Sequence, residues 1–93
     1  MYNNDINIPN VSLRRMLDFF LNEVRIDVHM TDLYGNVIGY RFQRDHNEWL
    51  KFATRFIYEV EDEELNDLLD MPVCKVEPRS RDYIRIEVLA DAE

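Results

Sequence analysis

Ninety-three residues, 46% of them hydrophobic, with 5 Phe, 5 Tyr and 1 Trp against only 3 Pro and 2 Gly, specify one globular domain over 1–93 and exclude a disordered chain. A formal charge of −8 disfavours direct binding to a phosphate backbone, which draws on an excess of Lys and Arg. No apolar run approaches the ~18 residues of a membrane span, and a lone cysteine, Cys74, cannot close an internal disulfide.

Residues 1–10 read as an extended lead-in ended by Pro9, with no basic residue before Arg14 and so without the start of a signal peptide. With the single cysteine this points to a reducing compartment. The expectation is a cytoplasmic protein, resident in the host cytoplasm if phage-encoded.

Asn10 or Ser12 is placed to cap a helix. Leu13, Met16, Leu17, Phe20, Leu21 and Val24 follow at three-and-four spacing, which predicts an amphipathic helix at about 12–23. At Val24 the period changes to two: Val24, Ile26, Val28 and Met30 alternate with polar residues, as a half-buried strand requires. Ile38, Tyr40 and Phe42 repeat the pattern after the turn signal Tyr34-Gly35-Asn36. Both apolar sets fall at even numbers, so the loop must hold an odd number of residues. A three-residue loop, Tyr34 to Asn36, pairs Met30 with Tyr40 and Val28 with Phe42.

The segment from Asn47 to Val60 holds the only tryptophan, with Asp45 or Asn47 as its cap. Trp49, Phe52, Ala53, Phe56, Ile57 and Val60 match helical spacing and predict a second helix. A short helix capped by Asp62, with Leu65, Leu68 and Leu69 inward, ends before Pro72. The stretch 47–70 reads equally as one kinked helix or as two. Cys74 and Val76, then Ile84, Ile86 and Val88, return to period two around a polar turn at Pro78–Asp82. Val76 is thereby paired with Ile84. Positions 90–93 read as a frayed tail.

The element order is α-β-β-α-β-β. It predicts an α+β two-layer sandwich, a four-stranded antiparallel sheet with both helices on one face.

Few residues offer chemistry. His29 lies on the outward sheet face near Arg41, with only His46 and Cys74 as further ligand or base types, and no metal-ligand spacing. Cys74, by parity, falls on the buried face and reads as a core residue. Phosphate loops and catalytic signatures are absent from the sequence. The outward face mixes Arg25, Arg41, Lys75 and Arg85 with Asp27, Glu77 and Glu87. Tyr83 is its only stacking ring, which is poor for a nucleic-acid platform. An enzyme, a metal centre and a cofactor are not expected.

The charge is uneven, and there the functional signal lies. Residues 1–46 carry six acids and five bases, a net −1; residues 47–93 carry thirteen acids and six bases, a net −7. Seven acids fall between Glu59 and Asp70, with no base: Glu59, Glu61, Asp62, Glu63, Glu64, Asp67 and Asp70. On a rigid element their spacing of about 5–6 Å resembles that of DNA phosphates. Tyr34, Tyr58 and Tyr83 are candidate aromatic anchors.

The expectation is a small acidic protein-binding module, an inhibitor of the phage anti-defence or DNA-mimic type (anti-CRISPR-like). It would occlude a basic nucleic-acid-binding site on a protein partner without touching nucleic acid or membrane. The rival is a structural, self-assembling homo-oligomer with no inhibitory role.

Overall fold

The computed structural model describes residues 11–90, so the lead-in at 1–10 and positions 91–93 of the tail lie outside the described residues. Eight elements follow in order: α1 (Leu13–Leu17), β1 (Arg25–Thr31), β2 (Val37–Asp45), β3 (Glu48–Ala53), β4 (Phe56–Glu59), α2 (Asp62–Leu69), β5 (Val73–Ser80) and β6 (Tyr83–Leu89). The strands form one six-stranded mixed sheet in the order β4-β3-β2-β1-β6-β5. This corrects the expected α-β-β-α-β-β sandwich, a four-stranded antiparallel sheet with two helices on one face. One neighbouring pair, β1 with β6, is parallel; every other neighbouring pair is antiparallel.

The largest correction is Asn47 to Val60, a β-hairpin where a helix was predicted. Leu50 pairs with Glu59, Lys51 with Tyr58, Phe52 with Ile57 and Ala53 with Phe56. Asp45 and Asn47 cap nothing: Asp45 pairs with Glu48, and His46 turns the chain with a φ of 59°. The physical reason is that both faces of this hairpin carry apolar residues. Trp49 and Val60 pack against the core, while Phe52 lies on the opposite face under the Arg41 guanidinium, 4.5 Å from its ring centroid. A strand apolar on both sides loses its period of two. The Thr54-Arg55 turn carries no Gly, Pro or Asn to mark it.

The first helix is also shorter than predicted. Ser12 does cap it, its Oγ accepting from the Arg15 N–H at 3.2 Å. After Leu17 the chain continues in tight turns, with amide bonds from Asp18, Phe19 and Phe20 to carbonyls three residues back. Met16, Leu17, Phe20 and Val24 still pack against the core, but Leu21 is exposed. Three-and-four spacing thus finds the inward face without fixing the helix length.

The core lies between the helices and the sheet. Leu13 and Leu68 enclose Ile26, Val28, Phe42, Val73, Ile84, Ile86 and Val88. Leu65 and Leu69 of α2 pack beside Leu68, and that helix ends before Pro72 as the sequence predicts.

Two registers are corrected. Val28 pairs with Phe42, but Met30 pairs with Ile38 and not Tyr40, because Gly39 and Tyr40 form a bulge on β2. The loop is Asp32 to Asn36, five residues, still odd as parity demands. Asp32 folds it by accepting the Tyr34 and Asn36 amides, each at 2.9 Å, and the Asn36 bond is the main cause of its lowered carboxyl pKa. Val76 pairs with Ile86 and not Ile84, since Arg79 is an extra residue on β5 next to the turn; Cys74 is a second extra residue beyond Val76. Each extra residue shifts parity by one, which permits a two-residue turn at Arg81-Asp82. It also turns Cys74 outward, so the cysteine expected in the core is exposed.

Candidate functional site

A groove of about 600 Å³ opens between the start of α2 and the β2–β3–β4 end of the sheet. Its walls are Tyr40, Lys51, Tyr58, Glu59, Glu61, Glu63, Glu64 and Asp67. Each wall has a local cause. Asp62, Glu63 and Glu64 fill the first turn of α2, where free amides and the helix dipole favour negative charge. Lys51 and Tyr58 face each other across the β3–β4 ladder. Tyr40 belongs to the β2 bulge, which removes it from the regular ladder and brings its ring to Lys51. Gly39 permits the bulge: its φ is 70°, and a Cβ there would collide with the terminal methyl of Met30.

Lys51 stands at the centre of the groove. Its Nζ donates to both carboxylate oxygens of Glu64, at 2.8 and 3.1 Å. The same Nζ lies 4.6 Å from the Tyr40 ring centroid and 5.8 Å from that of Tyr58. The Glu64 hydrogen bond holds the lysine pKa above its ordinary value, against a smaller opposing effect of desolvation. The ammonium is therefore permanent at physiological pH. Five carboxylates (Glu59, Glu61, Glu63, Glu64 and Asp67) line the groove with this single cation. Among the described residues only Glu64 of the five has an ion-pair partner. The carboxylates are spread along the walls, and among the described residues no three His, Cys, Asp or Glu side chains converge as metal ligands would.

Of the residues singled out from sequence, Tyr58, Glu59, Glu61, Glu63, Glu64 and Asp67 come together here. The other four sit elsewhere. Asp62 is exposed on α2 outside the groove lining. Asp70 is the C-cap of α2 and pairs with Arg14 at 3.2 Å. Tyr34 occupies the β1–β2 loop and is 87% exposed. Tyr83 lies on the opposite sheet face, where its hydroxyl donates to Asp27. Sequence reasoning missed Tyr40 and Lys51. Tyr40 was assigned to an unbroken strand, and Lys51 fell off the apolar stripe of a helix that does not form.

The opposite sheet face carries its own polar network. Asp27 is buried and accepts from Tyr83 and from Gln43 Nε2 at 3.0 Å. His29 pairs with Arg41, as the sequence predicts, and with Glu87 on β6. Desolvation lowers the His29 pKa, and Arg85 and Arg41 depress it further. The bases of this face are engaged: Arg85 with Glu87 at 3.1 Å, Lys75 with Glu77 at 3.3 Å, and Arg25 over the Tyr83 ring at 5.0 Å.

No helix among the described residues is long and apolar enough to cross a membrane. Comparison of the chain with protein-family models, with curated proteins and with solved structures gives no match. The site is therefore read from its own chemistry.

Proposed function

We propose that this chain is a non-enzymatic protein-binding module whose acidic, tyrosine-walled groove receives a basic segment of a partner protein. One observation carries the reading: the groove already holds a cation of its own. Lys51 is gripped by a carboxylate and covered by two tyrosine rings, the arrangement that would hold a Lys or Arg side chain from outside. The neighbouring carboxylates of Glu59, Glu61, Glu63 and Asp67 supply the field that steers such a partner in and orients it.

A nucleic-acid-binding protein is the natural source of a basic segment. Occupying its basic site would block nucleic acid by steric exclusion, the inhibitory role of a DNA mimic. The anti-defence or anti-CRISPR form of that role is the most specific version of the proposal and rests on charge and size alone.

Titration with an arginine-rich peptide, compared with a glutamate-rich one, tests the groove directly. Binding of the basic peptide should weaken steeply as salt rises. Replacing Glu61, Glu63 and Glu64 together by Gln should weaken it about tenfold, at roughly 0.2–1 kcal/mol per exposed charge pair. The slope with salt should flatten at the same time. Unchanged affinity in the triple variant would dismiss the groove as the binding surface.

A further inference from the structure

The two edges of the sheet are built differently. Edge strand β5 is guarded in the ways that discourage pairing: Pro78 removes a donor, Cys74 and Arg79 break its register, and Lys75 and Arg79 add charge. Edge strand β4 has no proline and no register break, and all four of its residues are exposed. Phe56, Ile57 and Tyr58 are 61%, 62% and 45% exposed. Three adjacent apolar residues on an open edge invite another strand.

The sequence of that edge says which strand. From Arg55 to Glu59 it reads Arg-Phe-Ile-Tyr-Glu, which is complementary to itself when reversed. Antiparallel pairing centred on Ile57 sets Ile57 against Ile57 of a second copy. It sets Phe56 against Tyr58, and Arg55 against Glu59, in both directions. Aromatic pairs and opposite charges are favourable cross-strand neighbours.

The hydrogen-bonding phase agrees. The two-residue turn Thr54-Arg55 makes Ala53 and Phe56 the closing hydrogen-bonded pair, and alternation makes Lys51 and Tyr58 the next. Phe56 and Tyr58 therefore spend their backbone groups on β3. Ile57 points its N–H and C=O away from the sheet, where two copies can exchange them across the two-fold.

We infer that the β4 edge is a homodimer interface, two copies joining antiparallel about Ile57 into one continuous sheet of twelve strands. The contact is isologous, so each copy spends the one edge left unguarded among the described residues, and the guarded β5 edges stop further growth. The interface shares Tyr58 and Glu59 with the groove wall, but binding of a basic peptide does not require a second copy, so the two readings fail on separate measurements.

Sedimentation equilibrium over roughly 1 μM to 1 mM, the range expected for a short interface, tests the inference. The weight-average mass should climb from the 11.3 kDa of one chain towards twice that value. Ile57→Pro removes the central donor without touching the β3 ladder and should hold the mass at one chain. If that variant fails to fold, Ile57→Lys, which sets two like charges face to face, decides the point. Arg55→Glu should separate the copies, and Arg55→Glu with Glu59→Arg should rejoin them. A constant monomer mass, dimers that survive folded Ile57 variants, failure of the charge swap to rejoin the copies, or growth beyond two copies would each overturn the interface.

Discussion

Single residues set two properties of this molecule. His29 is partly buried between Arg41 and Glu87, and its pKa is lowered first by desolvation and then by Arg85. Below the ordinary histidine value of 6.5 the unfolded chain binds a proton that the folded chain resists. Stability should therefore decline as pH falls through 6.5 and level off below the folded pKa. Denaturant midpoints at stepped pH should show that decline in the parent and a flatter profile in His29→Gln; equal slopes would dissociate His29 from it. Gly39 acts through shape: its positive φ allows the bulge that delivers Tyr40 to the groove, and a side chain there would displace the end of Met30. The residue that positions the groove is thus a glycine with no chemistry of its own.

At the scale of elements, α2 serves two masters. Its outer side supplies groove carboxylates, while Leu65, Leu68 and Leu69 anchor it to the core. The helix has only eight residues and no side-chain hydrogen bond at its N-cap, so packing must hold it in place. Leu68→Ala should cost about 2–5 kcal/mol, the range for deleting a fully buried leucine. Urea unfolding measures this, and a loss below about 1 kcal/mol would show that α2 is held by something other than this contact. The β3–β4 hairpin forms the other wall of the groove and the open edge of the sheet, so one element bears both surfaces. Its helical spacing in sequence shows why periodicity fails here. Leu50, Phe52 and Ile57 lie on the face opposite Trp49 and Lys51, and no polar alternation marks the strands.

For the whole molecule, the net charge of −8 is concentrated at the groove end. Raising ionic strength from about 0.01 to 0.15 M shortens the screening length from ~30 to ~8 Å. Repulsion among the groove carboxylates should relax, and thermal unfolding should move up by a few degrees, roughly 0.5–1 kcal/mol. A melting temperature that stays level or falls would mean that the acids are individually screened already. The opposite sheet face should contribute little to such a shift, because its bases and acids are paired with one another.

The sequence by itself determined the inward leucines of α2 and its end before Pro72, the pairing of Val28 with Phe42 and the concentration of acid after Glu59. Each depends on contacts close along the chain or on strict alternation. Tertiary structure decided the rest. It brought β6 beside β1 in parallel, which no local pattern announces. It made Asn47–Val60 a hairpin, because an edge of the sheet could accept two more strands and both faces of the segment were apolar. It also brought Tyr40 from β2 and Glu64 from α2 around the ammonium of Lys51 on β3. Charge can be counted along a chain; the groove that gathers it exists only once distant segments have packed.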